Sequence, residues 1–246
     1  MDIREDYRCY VDEKGLHAGR GYASLEHRCR QFFSHVGGIE GKILLEIGGG
    51  EGLFSLWALA NGSKRVILLE PEVEGSARGA RERFLAHKRT LGINDEQLML
   101  FPLTIQEYEG EKESFDLVFS YSSINHLDER ACVQLGQSKD AKATYRKIFE
   151  KVHDLLRSRG HFVISDCGRL NVWNLLRVRS PFSPTIDWKK HQEPVVWERL
   201  LKEVGFEVVA LDWHRFYPLR WLGSLGANAV FARATTSQFT LTVRKA

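Results

Sequence analysis

The segment Ile43-Leu44-Leu45-Glu46-Ile47-Gly48-Gly49-Gly50-Glu51-Gly52 constrains this chain more than any other. An apolar run ending in an acid predicts a buried strand, and Leu53-Phe54-Ser55-Leu56-Trp57-Ala58-Leu59-Ala60 after it predicts a helix. Glycines at alternate positions between them let the backbone turn sharply and approach a ligand with no Cβ in the way. The N–H groups that open the helix face the same point. Strand, glycine loop and helix in this order predict a nucleotide-type site in an α/β sheet, although a glycine-rich turn without a ligand has the same local pattern. The G-x-G-x-x-G/A spacing of dinucleotide sites fails, because its last position falls on Leu53, and no Lys-Ser/Thr pair follows to make a P-loop.

Three further segments narrow the reading. Arg65-Val66-Ile67-Leu68-Leu69-Glu70 predicts a second strand ending in a carboxylate. An acid about 20 residues beyond such a loop can accept hydrogen bonds from ribose hydroxyls. Standing before Pro71, the same Glu70 also suits the N-terminus of a following helix. Ser114-Phe115-Asp116-Leu117-Val118-Phe119-Ser120 predicts a buried strand leading into Tyr121-Ser122-Ser123-Ile124-Asn125-His126-Leu127. An amphipathic helix over Tyr145 to Arg159 then leads into a strand, Gly160-His161-Phe162-Val163-Ile164-Ser165-Asp166.

Glu46, Gly48, Gly50 and Gly52 spell E-x-G-x-G-x-G, which resembles motif I of the class I S-adenosylmethionine (SAM) methyltransferases. The Phe115-Asp116-Leu117-Val118 strand and its loop resemble motif IV of that family. The later helix and strand are similar to its helix-to-strand step, although Arg157-Ser158-Arg159-Gly160 lacks the usual proline. These segments stand in the family's order across residues 40 to 167. The resemblance implies SAM as cofactor, its methionine part held by the glycine loop with Glu46 orienting it, its ribose by Glu70, and Ser120 close by. The usual adenine-binding Gly-Asp pair falls on Leu103-Thr104, a departure that leaves adenine to the Thr104 hydroxyl, to packing by Leu103 and Ile105, and to a backbone N–H. The implied fold is an α/β doubly wound, mostly parallel seven-stranded sheet, order 3-2-1-4-5-7-6, with the last strand antiparallel and helices on both faces.

Element by element, strands are predicted near 42–47, 65–70, 97–102, 114–120, 160–166, 205–211 and 237–243. A helix over 19–36 precedes them, and another runs from Pro194 to Val204. Alternating β and α segments imply right-handed crossovers and a parallel sheet. The expected organisation is a lead-in and capping helix over 1–40, the first 18 residues loose, and a SAM-binding domain over 41–246 with a lid-like insertion at 168–193. A chain of 246 residues with 43% hydrophobic content can bury one such core. A net charge of +3 does not by itself imply nucleic acid. Cys9, Cys29, Cys132 and Cys167 stand far apart, which argues against a zinc site or a disulfide framework and for reduced thiols. The opening Met1-Asp2-Ile3-Arg4-Glu5-Asp6 lacks the pattern of a secretory leader, and no apolar run is long enough to span a membrane. A cytoplasmic enzyme needing no metal, as a monomer or a homodimer, is the expectation.

Methyl transfer to an alcohol needs alignment, exclusion of water and a general base. His126, after the motif IV strand, is the first candidate base, and a helix N-terminal role is its alternative. His191 is the second, with Glu193 as a possible orienting partner, and His27 and His35 follow. The insertion carries Trp173, Phe182 and Trp188 among Arg169, Arg177, Arg179, Lys189 and Lys190, with three prolines, Pro181, Pro184 and Pro194, around its second half. A long connection of this kind is a lid, a surface arm or a dimer contact. The Trp213–Trp221 stretch is a second aromatic and basic patch.

No [D/N/S]-P-P-[Y/F] motif and no Pro-Cys nucleophile follow the fourth strand, so nucleic acid is not the expected acceptor. The Ser180–Phe206 span looks similar to bacterial methyltransferases linked with cell-surface saccharides. With Trp faces for sugar rings and Arg or Lys for their phosphates or carboxylates, it makes a saccharide or small polar acceptor the expectation. Asn125, Trp173, Arg177 and Trp188 are the acceptor-binding candidates. The alternatives are an aminopropyltransferase of the spermidine synthase type, a non-catalytic SAM-binding protein, and a peripheral membrane enzyme methylating a lipid-linked acceptor. In the last, Asn171 to Arg179 would be an interfacial helix.

Overall fold

The computed structural model describes residues 3–17, 20–71, 79–181, 183–214 and 229–246. Its strands form a seven-stranded sheet of order 3-2-1-4-5-7-6, numbered along the chain, the order expected. The chain divides into two compact units, residues 1–120 with 154–161, and residues 121–153 with 162–246.

In the first unit, α1 (Ile3–Glu13) and α2 (Gly21–Phe32) precede β1 (Ile43–Ile47), α3 (Leu53–Ala60), β2 (Arg65–Leu69), α4 (Ala80–Thr90), β3 (Leu98–Phe101) and β4 (Phe115–Tyr121, through Ser120). β1 pairs in parallel with β2 on one side and β4 on the other, and β2 pairs in parallel with β3. The strands are continuous apolar runs because both faces are covered. Leu44, Leu45, Val66, Leu68, Leu69, Leu117, Val118 and Phe119 are all buried. α3 is buried from Phe54 to Ala60, the pattern of a core helix rather than an amphipathic one. Phe32, Phe33, Phe54, Trp57 and Phe119 form an aromatic cluster, with Phe33 stacked on Trp57 at 5.7 Å and edge-on to Phe119 at 5.0 Å.

Two local expectations are corrected here. Residues 3–13, expected as loose lead-in, are helix α1. Tyr7, Tyr10 and Val11 recur at helical spacing and are buried, and the Tyr7 hydroxyl donates to the Leu53 carbonyl at 2.7 Å. A three-residue stripe among charged neighbours is enough to dock a helix, although the average polarity suggests otherwise. β5 (Leu156–Cys167) begins four residues earlier than the expected Gly160. The Arg157 guanidinium donates to Asp116 at 2.8 Å, and a Cβ at Gly160 would lie 2.9 Å from the Arg157 carbonyl oxygen, so the strand is pinned through its polar start.

In the second unit, α5 (Glu129–Gln134) and α6 (Lys139–Leu155, through His153) precede the second half of β5. Then follow α7 (Val172–Leu175), α8 (Pro194–Val204), β6 (Phe206–Trp213), α9 (Ala229–Thr235) and β7 (Gln238–Lys245). β6 and β7 pair antiparallel, from Phe206 opposite Lys245 to Trp213 opposite Phe239. The core centres on buried Trp197, whose ring lies 5.1 Å from Tyr145 and 6.2 Å from Phe149. Pro194 starts α8 and Gly205 ends it at φ 105°, as its sequence predicts. Phe182 of the insertion, the 215–221 part of the second aromatic patch and the start of the segment after Pro71 lie outside the described residues. No described helix is long and apolar enough to cross a membrane.

Candidate active site

The reversal of strand order between β1 and β4 sets a crevice outside the carboxyl ends of those strands. Ile47 stands in register with Leu69 of β2 and Ser120 of β4, so Gly48, Glu70 and Ser120 emerge at one edge within the first unit. The glycine loop leaves this edge. A Cβ at Gly49 would lie 2.3 Å from Leu68 and 2.5 Å from the Glu46 carboxyl carbon, so the loop backbone sits directly on that acid. Gly52 caps α3 at φ 78°, where a Cβ would also meet the Phe84 ring at 2.5 Å. Gly49 is absent from the sequence-derived site, and its signal was the unbroken Gly48-Gly49-Gly50 run.

Two carboxylates serve the loop. The Glu70 Oε2 accepts from the Gly50 N–H at 2.7 Å, which leaves most of its lone-pair sites for other donors. Glu46 is buried, accepts from the Ser55 hydroxyl and backbone N–H, and keeps one oxygen, Oε1, with no partner among the described residues. Burial pushes its carboxyl up to about 8, opposed by Ser55 and assisted by the nearby Glu70 charge. A buried carboxyl oxygen without a partner is expensive, and a polar or cationic group beside it would both satisfy it and favour the ionised form. The glycine cradle, the spare Glu70 acceptor and the orphaned Glu46 oxygen together fit a nucleoside bearing a cationic tail.

The adenine-side expectation fares differently. Thr104 closes a turn in which its hydroxyl and its N–H donate to Glu107 at 2.8 and 2.9 Å. Its only hydroxyl proton is therefore committed locally. Ile105 is fully buried and supplies apolar packing.

In the second unit the sequence-derived residues fall into two linked groups. His126 ends a 3-10 turn (Ile124–His126), and its Nδ1 meets Glu129 Oε1 at 2.6 Å. Glu129 Oε2 accepts from Lys190 at 2.7 Å, and these two partners hold its carboxyl below the usual range, Lys190 first. Asn125 is buried beside it, its amide 3.4 Å from His126 Nε2 and its Oδ1 unpartnered among the described residues. The Tyr145 hydroxyl donates to the Ile124 carbonyl at 2.9 Å and fixes this turn.

His191 follows the Trp188–Lys190 turn, and its Nδ1 lies 3.1 Å from Asp166 Oδ1. Asp166 is fully buried at the end of β5, also accepts from the Cys167 N–H at 2.8 Å, and has no partner for Oδ2 among the described residues. The side chain of His191 is 11% exposed, against 52% for His126. A carboxylate can only accept, so this contact is made by an Nδ1–H, and Nε2 is the ring nitrogen turned to other groups. The Trp188 ring stands 6.2 Å from the His191 ring.

Glu193 is not the partner of His191. It accepts from the Leu170 N–H at 2.8 Å and from Arg233 at 3.1 Å, and so ties the root of the insertion to α9. Asp166 fills the orienting role instead; it stood in the sequence as the acid closing the β5 run. Trp173 donates its indole N–H to the Thr235 carbonyl at 2.7 Å, a scaffold contact, and Arg177 is exposed at φ 55°. Among the described residues no three His, Cys, Asp or Glu side chains gather as a metal site.

A family model described as a methyltransferase domain matches residues 21–227. No curated protein matches the chain. Among solved structures, a SAM-dependent methyltransferase from Mesorhizobium loti is similar over 90% of this chain and 100% of its own, at 17% identity and a TM-score of 0.62. The 1,6-didemethyltoxoflavin-N1-methyltransferase of Burkholderia thailandensis, solved with 1,6-didemethyltoxoflavin and S-adenosylhomocysteine, is similar over 99% of this chain and 87% of its own, at 19% identity and a TM-score of 0.54. A geranyl diphosphate methyltransferase solved with GPP and sinefungin is similar over 96% and 86%, at 15% identity and a TM-score of 0.61. At these identities the likeness is one of fold.

Proposed function

The chain belongs to the methyltransferase-domain family as a class I SAM-dependent methyltransferase, and from that footing we propose that it methylates a hydroxyl of a saccharide or similar small polar metabolite, with His191 as the general base. When bound, SAM would supply an electrophilic methyl group, with its sulfur keeping the bonding electrons as the thioether of S-adenosylhomocysteine. Glu70 would hold its ribose, and the Gly48–Gly52 loop with Glu46 its methionine part. The solved neighbours named above act on a toxoflavin precursor and on geranyl diphosphate. This fold therefore serves unlike acceptors, and the choice rests with side chains.

The pairing of His191 with Asp166 carries the proposal. An alcohol gives up its proton only to a positioned base once water is excluded. A neutral imidazole held through Nδ1 by a buried carboxylate presents Nε2 to the acceptor hydroxyl, and Asp166 then stabilises the imidazolium. His126 serves less well, because it is half exposed and shares its carboxylate with Lys190. The Trp188 ring beside His191 offers an apolar face for a sugar ring.

The test is S-adenosylhomocysteine release with a panel of free and nucleotide-linked sugars. His191→Gln should lower kcat by about 10²–10⁴-fold with little change in acceptor KM. Asp166→Asn should follow it and shift the acidic limb of the pH–rate profile, whereas His126→Ala should cost less than about tenfold. Wild-type turnover in His191→Gln would overturn its role as base, and activity confined to amine acceptors would overturn the hydroxyl reading.

A further inference from the structure

The start of the insertion carries a surface distinct from the His191–Asp166 pair and the glycine loop. Between Cys167 and Ile186 the chain has three arginines and no Asp or Glu. Leu175 is 82% and Leu176 63% exposed, and Leu170 and Val178 are exposed beside them. Isolated exposed aliphatic side chains are ordinary, but three leucines and a valine in nine residues, beside Arg177 and Arg179, form an apolar patch set in positive charge. We propose that Leu170, Leu175, Leu176 and Val178, with Arg177 and Arg179, dock the protein on an anionic lipid surface.

The exposure is built, not frayed. The Asn171 side chain accepts from the Asn174 N–H at 3.0 Å and donates to the Gly168 carbonyl and the Ser237 hydroxyl at 3.2 Å. Asn174 donates to the Arg169 carbonyl at 2.8 Å, and Trp173 is tied to Thr235. These bonds turn the polar side chains and the indole inward and hold the leucines out. The neighbouring α9 adds exposed Phe231.

The chemistry favours a bilayer over other partners. Leucines projecting on a short helical turn suit insertion among acyl chains, with arginines at headgroup level meeting lipid phosphates. A second copy would oppose arginine to arginine. A nucleic acid would engage the arginines through its phosphates but leave Leu170, Leu175, Leu176 and Val178 without an apolar partner.

Flotation of the full chain with vesicles tests the proposal. Binding to phosphatidylcholine vesicles containing about a third phosphatidylglycerol should exceed binding to phosphatidylcholine alone by at least about tenfold, and should weaken with salt. Leu175→Ser with Leu176→Ser leaves the net charge unchanged and should lower vesicle binding about tenfold. Arg177→Glu with Arg179→Glu should abolish the preference for the anionic lipid. Both variants should melt within a few degrees of wild type. Heparin serves as the free polyanion. Equal binding to both vesicle types would overturn the proposal. So would heparin binding as tight as vesicle binding in a leucine variant that still floats, which would mark a polyanion or acidic-protein site.

Discussion

The glycine loop after β1 and the segment around His191, the two regions proposed to hold ligand groups, are built by opposite means. The loop works with backbone: Gly52 at φ 78°, Gly49 pressed on Glu46, and the Gly50 N–H on Glu70. Its parts lie close in sequence or at the fixed offset of one β-α-β unit. The His191 segment works with side chains brought from far apart: Asp166 is 25 residues away, and Lys190 reaches Glu129 across 61. Backbone recognition restricts residue type at each position and so leaves a mark in the sequence. Side-chain recognition restricts only the pair, and a lone histidine carries no sign of its partner.

The largest expected effect strikes the backbone-built region. Gly52→Val forces a β-branched residue to a positive φ, a strain of roughly 1–3 kcal/mol, and drives its Cβ into Phe84 for about 1–3 kcal/mol more. Calorimetric titration should find SAM binding lost, with a lowered melting temperature. Gly50→Ala sharpens the comparison, because nothing lies within 4 Å of its Cβ; only the strain at φ 56° remains, and binding should survive in weakened form. Next comes Glu70→Ala, which removes the partner of the Gly50 N–H and the proposed ribose acceptor. A loss of about 1.5–3 kcal/mol, ten- to a hundredfold in SAM affinity, is expected by titration. Unchanged affinity would withdraw the ribose role.

Glu46 gives a pH signature. Its folded carboxyl, pushed up to about 8 by burial, keeps its proton where the unfolded chain has lost one near 4.5. This group's contribution to stability is therefore fully present below about pH 4.5, declines as pH rises, and is gone above about pH 8. Glu46→Gln should flatten that slope in urea midpoints measured from pH 5 to 8, and an unaltered slope would mean the acid is ionised throughout. The smallest effect is at Trp188→Ala, expected to raise acceptor KM a few-fold and leave SAM affinity alone, since the ring supplies packing and no hydrogen bond. An unchanged KM would leave Trp188 as scaffold.

How far each region was legible follows from the same contrast. Gly48, Gly50, Gly52 and Glu70 could be named because a turn, a close approach and a strand end each require a residue type. The sheet order came from the family resemblance of four segments, not from periodicity. α1 escaped because three buried residues, Tyr7, Tyr10 and Val11, are diluted by charge. Thr104 was legible as a departure from the family pattern, but its turn with Glu107 shows only in three dimensions. His191 was visible as a titratable group, yet Glu193, two residues on, drew the pairing because nearness in sequence was the only distance available. Asp166, at the end of a strand, is brought to it by the fold.

The division of labour between the two regions is tested most directly by titrating SAM into wild type and His191→Ala and measuring turnover of both. The account predicts SAM affinities within about twofold of each other and a turnover lower by about 10²–10⁴-fold in the variant. Failure of wild type to bind SAM, or an affinity in the variant weaker by more than about tenfold, would contradict it.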